Sequence, residues 1–325
     1  MKRSSLILTS ITATMIVACN SGSNTTTTIY EQPAPMCNFG GSTYSNNSTA
    51  SSKSLNVANG CNPPDGSLIT QLVVGLSSTN NSETAQADTY CTGTPIADGS
   101  WILTAAHCLV TDNARPDSGW VPSNITNPAN IYLWQGSNLK TPDGNPVSVS
   151  AVYVHAGYSP QSMGQSNTPP ADIALLKVNN NYPLKAALNT NADLSPYTML
   201  WLTGFGTTEY KNMSGILFYR QIYYSGNLSP YVSGNPNVGE LYTVGSIPVN
   251  NYVWKFVGPG DSGGGDLTYI NNNFYIVGVH SWSLLNPGTY GPLPAAYGVD
   301  TSVSYYNTWI NNVVNGTPSD YVVRN

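Results

Sequence analysis

A chain of 325 residues can bury a sizeable core, as one large domain or as two small ones. Charged residues make up 8%, against about 25% in ordinary soluble domains, and Asn, Ser, Thr, Gly and Tyr carry the polarity instead. That balance points to a secreted β-rich protein and away from a cytosolic helical one, and a net charge of -5 with no basic run leaves a nucleic-acid partner without electrostatic support.

The chain begins with the basic Met1-Lys2-Arg3, and an apolar run from Leu6 to Ala18 follows, too short for a membrane span. The run ends Ile16-Val17-Ala18-Cys19, which resembles a bacterial lipoprotein signal. That resemblance implies a signal peptide over 1–18, cleavage before Cys19 and lipidation of its sulfur. The expected location is the bacterial cell envelope or the extracellular space, with membrane contact through the lipid anchor only. The alternative is an ordinary signal peptide with a chance cysteine. With Cys19 set aside, Cys37, Cys61, Cys91 and Cys108 form an even set suited to an oxidising compartment, and spacing leaves all three pairings open.

Asn20 to about Asn59 is rich in Ser, Thr and Asn, with few apolar residues and no period, so 19–66 reads as a linker or pro-segment. From Ser67 the pattern changes. Leu68–Leu76, Trp101–Thr104, Ile131–Trp134, Val147–Val154 and Ile173–Val178 read as short strands, separated by Gly, Pro, Asn and Asp clusters. A second set includes Met199–Leu202, Gly215–Tyr224, Phe274–Val279 and Tyr297–Val299. Regularly spaced short strands suggest barrels or a sandwich. Over 303–314, Val303, Tyr306, Ile310 and Val313 recur at helical spacing; Asp300 or Thr301 is the expected cap, and Gly316 with Pro318 the stop. The tail, 317–325, carries no signal.

Gly258-Pro259-Gly260-Asp261-Ser262-Gly263-Gly264-Gly265 places an acid and a hydroxyl among five glycines. Such a loop is either a turn with a solvated serine or a nucleophile loop, because glycine lets backbone N–H groups approach a ligand closely. A serine needs a base to act, and the chain holds three histidines. His107 lies in Leu103-Thr104-Ala105-Ala106-His107-Cys108, and Asp172 opens Asp172-Ile173-Ala174-Leu175-Leu176-Lys177-Val178. Each residue alone reads as structural or solvated.

Together, TAAHC, DIALLKV and GDSGG, in the order His, Asp, Ser, resemble the chymotrypsin/trypsin family of serine proteases over about Leu68 to Val314. Trp201-Leu202-Thr203-Gly204-Phe205-Gly206 and Gly278-Val279-His280-Ser281-Trp282-Ser283 are similar to two further family segments, and so is the terminal helix. The resemblance implies an all-β fold of two six-stranded antiparallel barrels and a C-terminal helix. The protease domain would span 67–316, with the N-terminal barrel over about 67–190 and the C-terminal barrel over about 191–302.

It also implies serine endopeptidase chemistry on a polypeptide substrate, with His107, Asp172 and Ser262 catalytic and the N–H groups of Gly260 and Ser262 as the oxyanion hole. It pairs Cys91 with Cys108, leaving Cys37 to pair with Cys61. In the family a freed N-terminus pairs with the acid before the nucleophile, here Asp261; the nearest match to that N-terminus is Val57-Ala58-Asn59-Gly60. No cofactor is implied, a monomer is expected, and no HExxH or CxxC metal spacing occurs.

The substrate pocket departs from the family pattern. Phe256 stands at its expected base, near Val257 and Pro259; His280, Ser281, Trp282 and Ser283 form the wall and mouth; Gly298 stays small at the back. This set disfavours Lys or Arg at P1 and favours a small or medium apolar residue, unless the Asp300 carboxylate points inward. His155 reads as structural. The altered pocket and incomplete activation site leave a second class open: an inactive homologue serving as an adhesin or binding protein, to which the 22 tyrosines could contribute. An esterase using the same triad is a third.

Overall fold

The computed structural model describes residues 38–39, 42–43, 63, 67–111, 115–162, 170–190, 194, 198–206, 215–226, 239–244, 258–286 and 295–325. Cys19, Cys37, Cys61, Val57, Phe256 and Val257 lie outside them, and with them the expected lipidation site, second disulfide, activation site and pocket base.

A short hairpin, β1 (Asn38–Phe39) and β2 (Ser42–Thr43), precedes α1 (Leu68–Leu72). The sequence reads as a strand from Leu68, yet a helical turn forms there and only β3 (Val74–Ser77) is extended. Local bonding decides it: the Ser67 carbonyl accepts both the Thr70 N–H (3.1 Å) and the Thr70 hydroxyl (2.7 Å).

The N-terminal barrel is built from β3, β4 (Thr89–Ile96), β5 (Trp101–Thr104), β6 (Tyr132–Trp134), β7 (Val147–His155) and β8 (Ala174–Val178). Its strands run in the ring β3–β4–β5–β8–β7–β6, all antiparallel, and β6 closes on β3. Closure pairs each of these strands on both sides, and only the stretch of β7 beyond its pairing with β6 is left open. Leu76, Ile102, Leu103, Val152, Leu175 and Leu176 are wholly buried in the core, each stabilising the fold by about 1.5–3 kcal/mol through burial.

After β9 (Ala187–Leu188), the second barrel uses β10 (Met199–Gly204), β11 (Phe218–Gly226), β12 (Glu240–Val244), β13 (Gly265–Ile270), β14 (Asn273–Asn286) and β15 (Ala295–Ser302). The ring β10–β11–β12–β15–β14–β13 closes by the pairing of β13 with β10. The expected architecture of two six-stranded barrels is therefore observed.

α2 (Val303–Val314) follows directly and buries Val303, Tyr306, Trp309, Ile310 and Val313. Its cap is Ser302, whose hydroxyl accepts the Tyr305 N–H at 3.3 Å, and not Asp300 or Thr301, whose side chains are bonded inside the fold. Ser302→Ala is expected to cost about 1 kcal/mol, a fall in melting temperature of about 2 °C by calorimetry.

The tail is structured. β16 (Tyr321–Arg324) adds to β7 of the first barrel, pairing Tyr321 with His155 and Arg324 with Val152. Trp309 Nε1 donates to the Asp320 carbonyl at 2.9 Å, and Arg324 donates to the Ile125 carbonyl. His155 sits under this join, its ring 5.3 Å from Tyr306 and 5.2 Å from Trp309, as suits a structural residue.

Candidate active site

His107 lies in a single 3-10 turn, Ala106–Cys108, just past β5. The turn is anchored by a disulfide between Cys108 and Cys91 of β4, with the sulfurs 1.98 Å apart and the Cα atoms 6.2 Å apart. Asp172 stands just before β8 on the neighbouring strand of the barrel, so the β5–β8 pairing, Thr104 opposite Ala174, brings the two side chains together. Ala171 before it takes φ 48°, a left-handed conformation uncommon outside glycine that turns the chain into the strand.

Asp172 is fully buried, and it accepts from three donors: the His107 backbone N–H at 2.9 Å, His107 Nδ1 at 2.7 Å and the Ser281 hydroxyl at 2.5 Å. Burial pushes its carboxyl upward, but the His107 charge and these hydrogen bonds prevail and hold it below the usual range. Burial in turn pulls the His107 imidazole down, while the Asp172 charge and hydrogen bond leave it raised overall. With the proton on Nδ1 and donated to Asp172, such a pair can act as a base through Nε2.

Two of the residues that hold Asp172 come from the other barrel. Ser281 belongs to β14, and Thr301 of β15 donates its hydroxyl to the Asp172 carbonyl at 2.9 Å. Ser281, expected beside the substrate, thus also supports the acid. Thr301 as a support of Asp172 had no signal in the sequence, because the contact crosses 129 residues.

Gly258–Asp261 forms a type II turn. The Asp261 N–H donates to the Gly258 carbonyl at 3.0 Å, Pro259 occupies the second position, and Gly260 takes the required positive φ of 101° at the third. Asp261 is buried behind this turn and accepts the N–H groups of Gly206 (2.8 Å) and Gly258 (2.9 Å). Burial raises its carboxyl above the ordinary value despite these bonds. The N–H groups of Asp261, Gly263 and Gly264 are all bonded within the fold, whereas those of Gly260 and Ser262 have no acceptor among the described residues. Two adjacent open donors flanking a hydroxyl can receive an oxyanion.

Thr92 of β4 fixes the loop against the first barrel. Its N–H donates to the Ser262 carbonyl at 2.8 Å, and its hydroxyl donates to the Gly260 carbonyl at 2.8 Å while accepting the Phe205 N–H at 3.0 Å. Cys108 Sγ lies 3.6 Å from the Ser262 carbonyl, so the Ser262 loop abuts the His107 turn. Thr92 carries no local signal of this role, because the partners of its hydroxyl lie 113 and 168 residues away.

Of the pocket residues, Pro259 is exposed, Trp282 half-buried, and Gly298 buried and paired through its backbone with Ser283. His280 is wholly buried, with Nδ1 2.8 Å from Asp300 Oδ1 and 3.7 Å from Asp266 Oδ1. The Asp300 carboxylate is therefore engaged with an imidazole.

Among the described residues, two groups of three potential metal ligands occur, Cys91–His107–Cys108 and Asp266–His280–Asp300, the ligand atoms of each lying within 4.8 Å of one another. The sulfurs of the first are in a disulfide. In the second, the 2.8 Å contact is a hydrogen bond, shorter than the about 3.3 Å between two ligands of one tetrahedral ion.

Two closed barrels that bring a His–Asp pair against a glycine loop bearing one hydroxyl define the double-barrel serine protease class. A family model described as Trypsin matches residues 60–310, so the chain belongs to the trypsin family. It is 24% identical over 253 residues to the complement C1s subcomponent of Sus scrofa, covering 70% of this chain and 33% of that protein. The chain thus spans about a third of the length of that relative.

Proposed function

We propose that the protein is a serine endopeptidase. The observation that carries this reading is the His107–Asp172 pair on a turn that abuts, through Cys108, a loop whose Gly260 and Ser262 N–H groups have no acceptor among the described residues. Ser262 Oγ bonds to the substrate carbonyl carbon and its proton passes to His107 Nε2, while Asp172 keeps Nδ1 protonated. Gly260 and Ser262 donate to the developing oxyanion. Collapse breaks the peptide C–N bond, His107 returns the proton to the leaving amine, and water hydrolyses the acyl ester by the same route.

A fluorophosphonate probe is expected to label the full chain at Ser262, with labelling lost in Ser262→Ala. Absence of labelling in the wild type, before and after proteolytic processing, favours the binding-protein reading instead.

The P1 preference belongs to the same proposal: a non-basic residue. Its support is that Asp300, the acid that would attract Lys or Arg, is bonded to His280. In a P1-diverse peptide library, dominant cleavage after Lys or Arg overturns it. Tethering to the bacterial envelope through Cys19 rests on the sequence, and radiolabelled palmitate incorporation lost in Cys19→Ser is its test.

A further inference from the structure

Asp266 on β13, His280 on β14 and Asp300 on β15 form a second buried histidine–carboxylate group, which the proposed chemistry does not use. All three side chains have no exposed surface. An ionised carboxylate is costly to bury unless it is paired. Neither Asp266 oxygen receives an N–H or O–H among the described residues, so it can bond to Asp300 only by sharing a proton. Asp300 meets the His280 ring at 2.8 Å, so a positive charge on the ring has an acceptor within the group. Burial, with the charge of Asp300 and this shared proton, pushes Asp266 well above the ordinary carboxyl range.

The place of this group in the chain gives it a role. The His280 carbonyl accepts the Gly263 N–H at 2.9 Å, and the His280 N–H donates to the Gly264 carbonyl at 2.8 Å. These two bonds fix the chain immediately after Ser262. The next residue, Ser281, holds the Asp172 carboxylate. The ring lies against the same loop: a Cβ on Gly264 would stand 3.1 Å from His280 Cδ2. One dipeptide, His280-Ser281, therefore joins the nucleophile loop to the catalytic acid, and its orientation depends on what the His280 ring is bonded to.

We propose that His280 is a positioning residue for Ser262 and Asp172: a cation bonded through Nδ1 to Asp300, with Asp266 alongside, that holds the His280-Ser281 dipeptide against the Ser262 loop. The proposal rests on the serine-endopeptidase reading. Asp261, from the loop itself, is the third carboxyl group that acts on His280. Burial opposes the charge on the ring, but Asp266, Asp300 and Asp261 outweigh it and raise the imidazole to about 9, against an ordinary 6.5. The support is thus complete below the ordinary histidine range and is lost as pH rises through about 9.

The test is the rate of fluorophosphonate labelling of the full chain from neutral to strongly alkaline pH, with circular dichroism confirming the fold at each point. The wild type is expected to lose labelling through an alkaline limb near 9. Asp300→Asn removes an anion beside the ring and moves that limb down by about one to three pH units. Asp266→Asn, whose amide can donate to Asp300 as the protonated carboxyl does, moves it less. His280→Gln removes the limb and slows labelling by about 100-fold, the order of losing one oxyanion donor.

Because a buried variant can fail to fold, the His280 ring proton resonances are also followed against pH in Ser262→Ala. A ring that titrates at or below the ordinary 6.5 overturns the proposal, whatever the variants do. Labelling by the wild type with an unmoved limb in Asp300→Asn, or a folded His280→Gln labelled at the wild-type rate, overturns this role and leaves the peptidase reading standing. A wild type that labels at no pH removes the peptidase reading and this role with it.

Discussion

Asp172→Asn is expected to lower kcat by about 10,000-fold while leaving KM and the fold nearly unchanged. The carboxylate accepts three hydrogen bonds, two of them from His107. An amide of the same shape can still meet the His107 backbone N–H through its oxygen. Its NH2 group would then face Nδ1 and favour the tautomer with the proton on Nε2, which cannot take a proton from Ser262. The pH profile gives a second reading. Asp172 holds the His107 imidazole above its ordinary 6.5, and only the neutral ring is a base. The acid limb of wild-type kcat/KM therefore falls above 6.5, and in the variant the remaining activity reaches its plateau at lower pH. A variant within tenfold of the wild type would remove Asp172 from the mechanism.

Gly263→Ala is expected to destabilise the protein by about 3 kcal/mol or more and to abolish labelling of Ser262 in whatever remains folded. A Cβ there would stand 2.1 Å from Thr104 Oγ1, 2.4 Å from the Thr92 carbonyl and 3.0 Å from the Ala105 nitrogen. Two of these are backbone atoms of the first barrel, which cannot step aside like the end of a flexible side chain. The residue also holds φ 81°, where a side chain adds strain of its own. Relief requires the nucleophile loop to withdraw from the His107 turn, so stability and reactivity fall together. Denaturant unfolding and probe labelling on the same preparation measure both, and a variant that unfolds at the wild-type midpoint would contradict the packing described here.

Much of the fold was legible in local sequence. Trp101–Thr104 and Ile173–Val178 are short, apolar and β-branched or aromatic, and they pair as β5 and β8 with the expected bounds or within a residue of them. The helix over 303–314 follows from its period, and four of its buried residues are those the spacing names. Other strands carried no such signal. Thr89–Ile96 contains Pro95, Gly93 and a half-cystine, and it is buried on nearly every residue because both barrels lean on it. Gly265–Ile270 begins within a glycine run that reads as loop until β14 pairs with it. Tyr321–Arg324 is too short to announce itself and becomes a strand only because β7 offers an edge.

The chain by itself determined the family and the candidate residues: TAAHC, DIALLKV and GDSGG each place His107, Asp172 or Ser262 in a local frame that short-range bonding builds. The type II turn that leaves Gly260 N–H open is an example, written in Gly258-Pro259-Gly260-Asp261 as a proline followed by a glycine. What supports those groups was decided only in the tertiary structure. Thr92, Ser281 and Thr301 reach the site across 168, 109 and 129 residues, and no local propensity encodes such a contact. The same reason governs His280 and Asp300. Each was legible as a pocket residue by its place in the chain. Only the closure of β13, β14 and β15 into one barrel buries them beside Asp266, where the cost of an unpaired charge makes them partners.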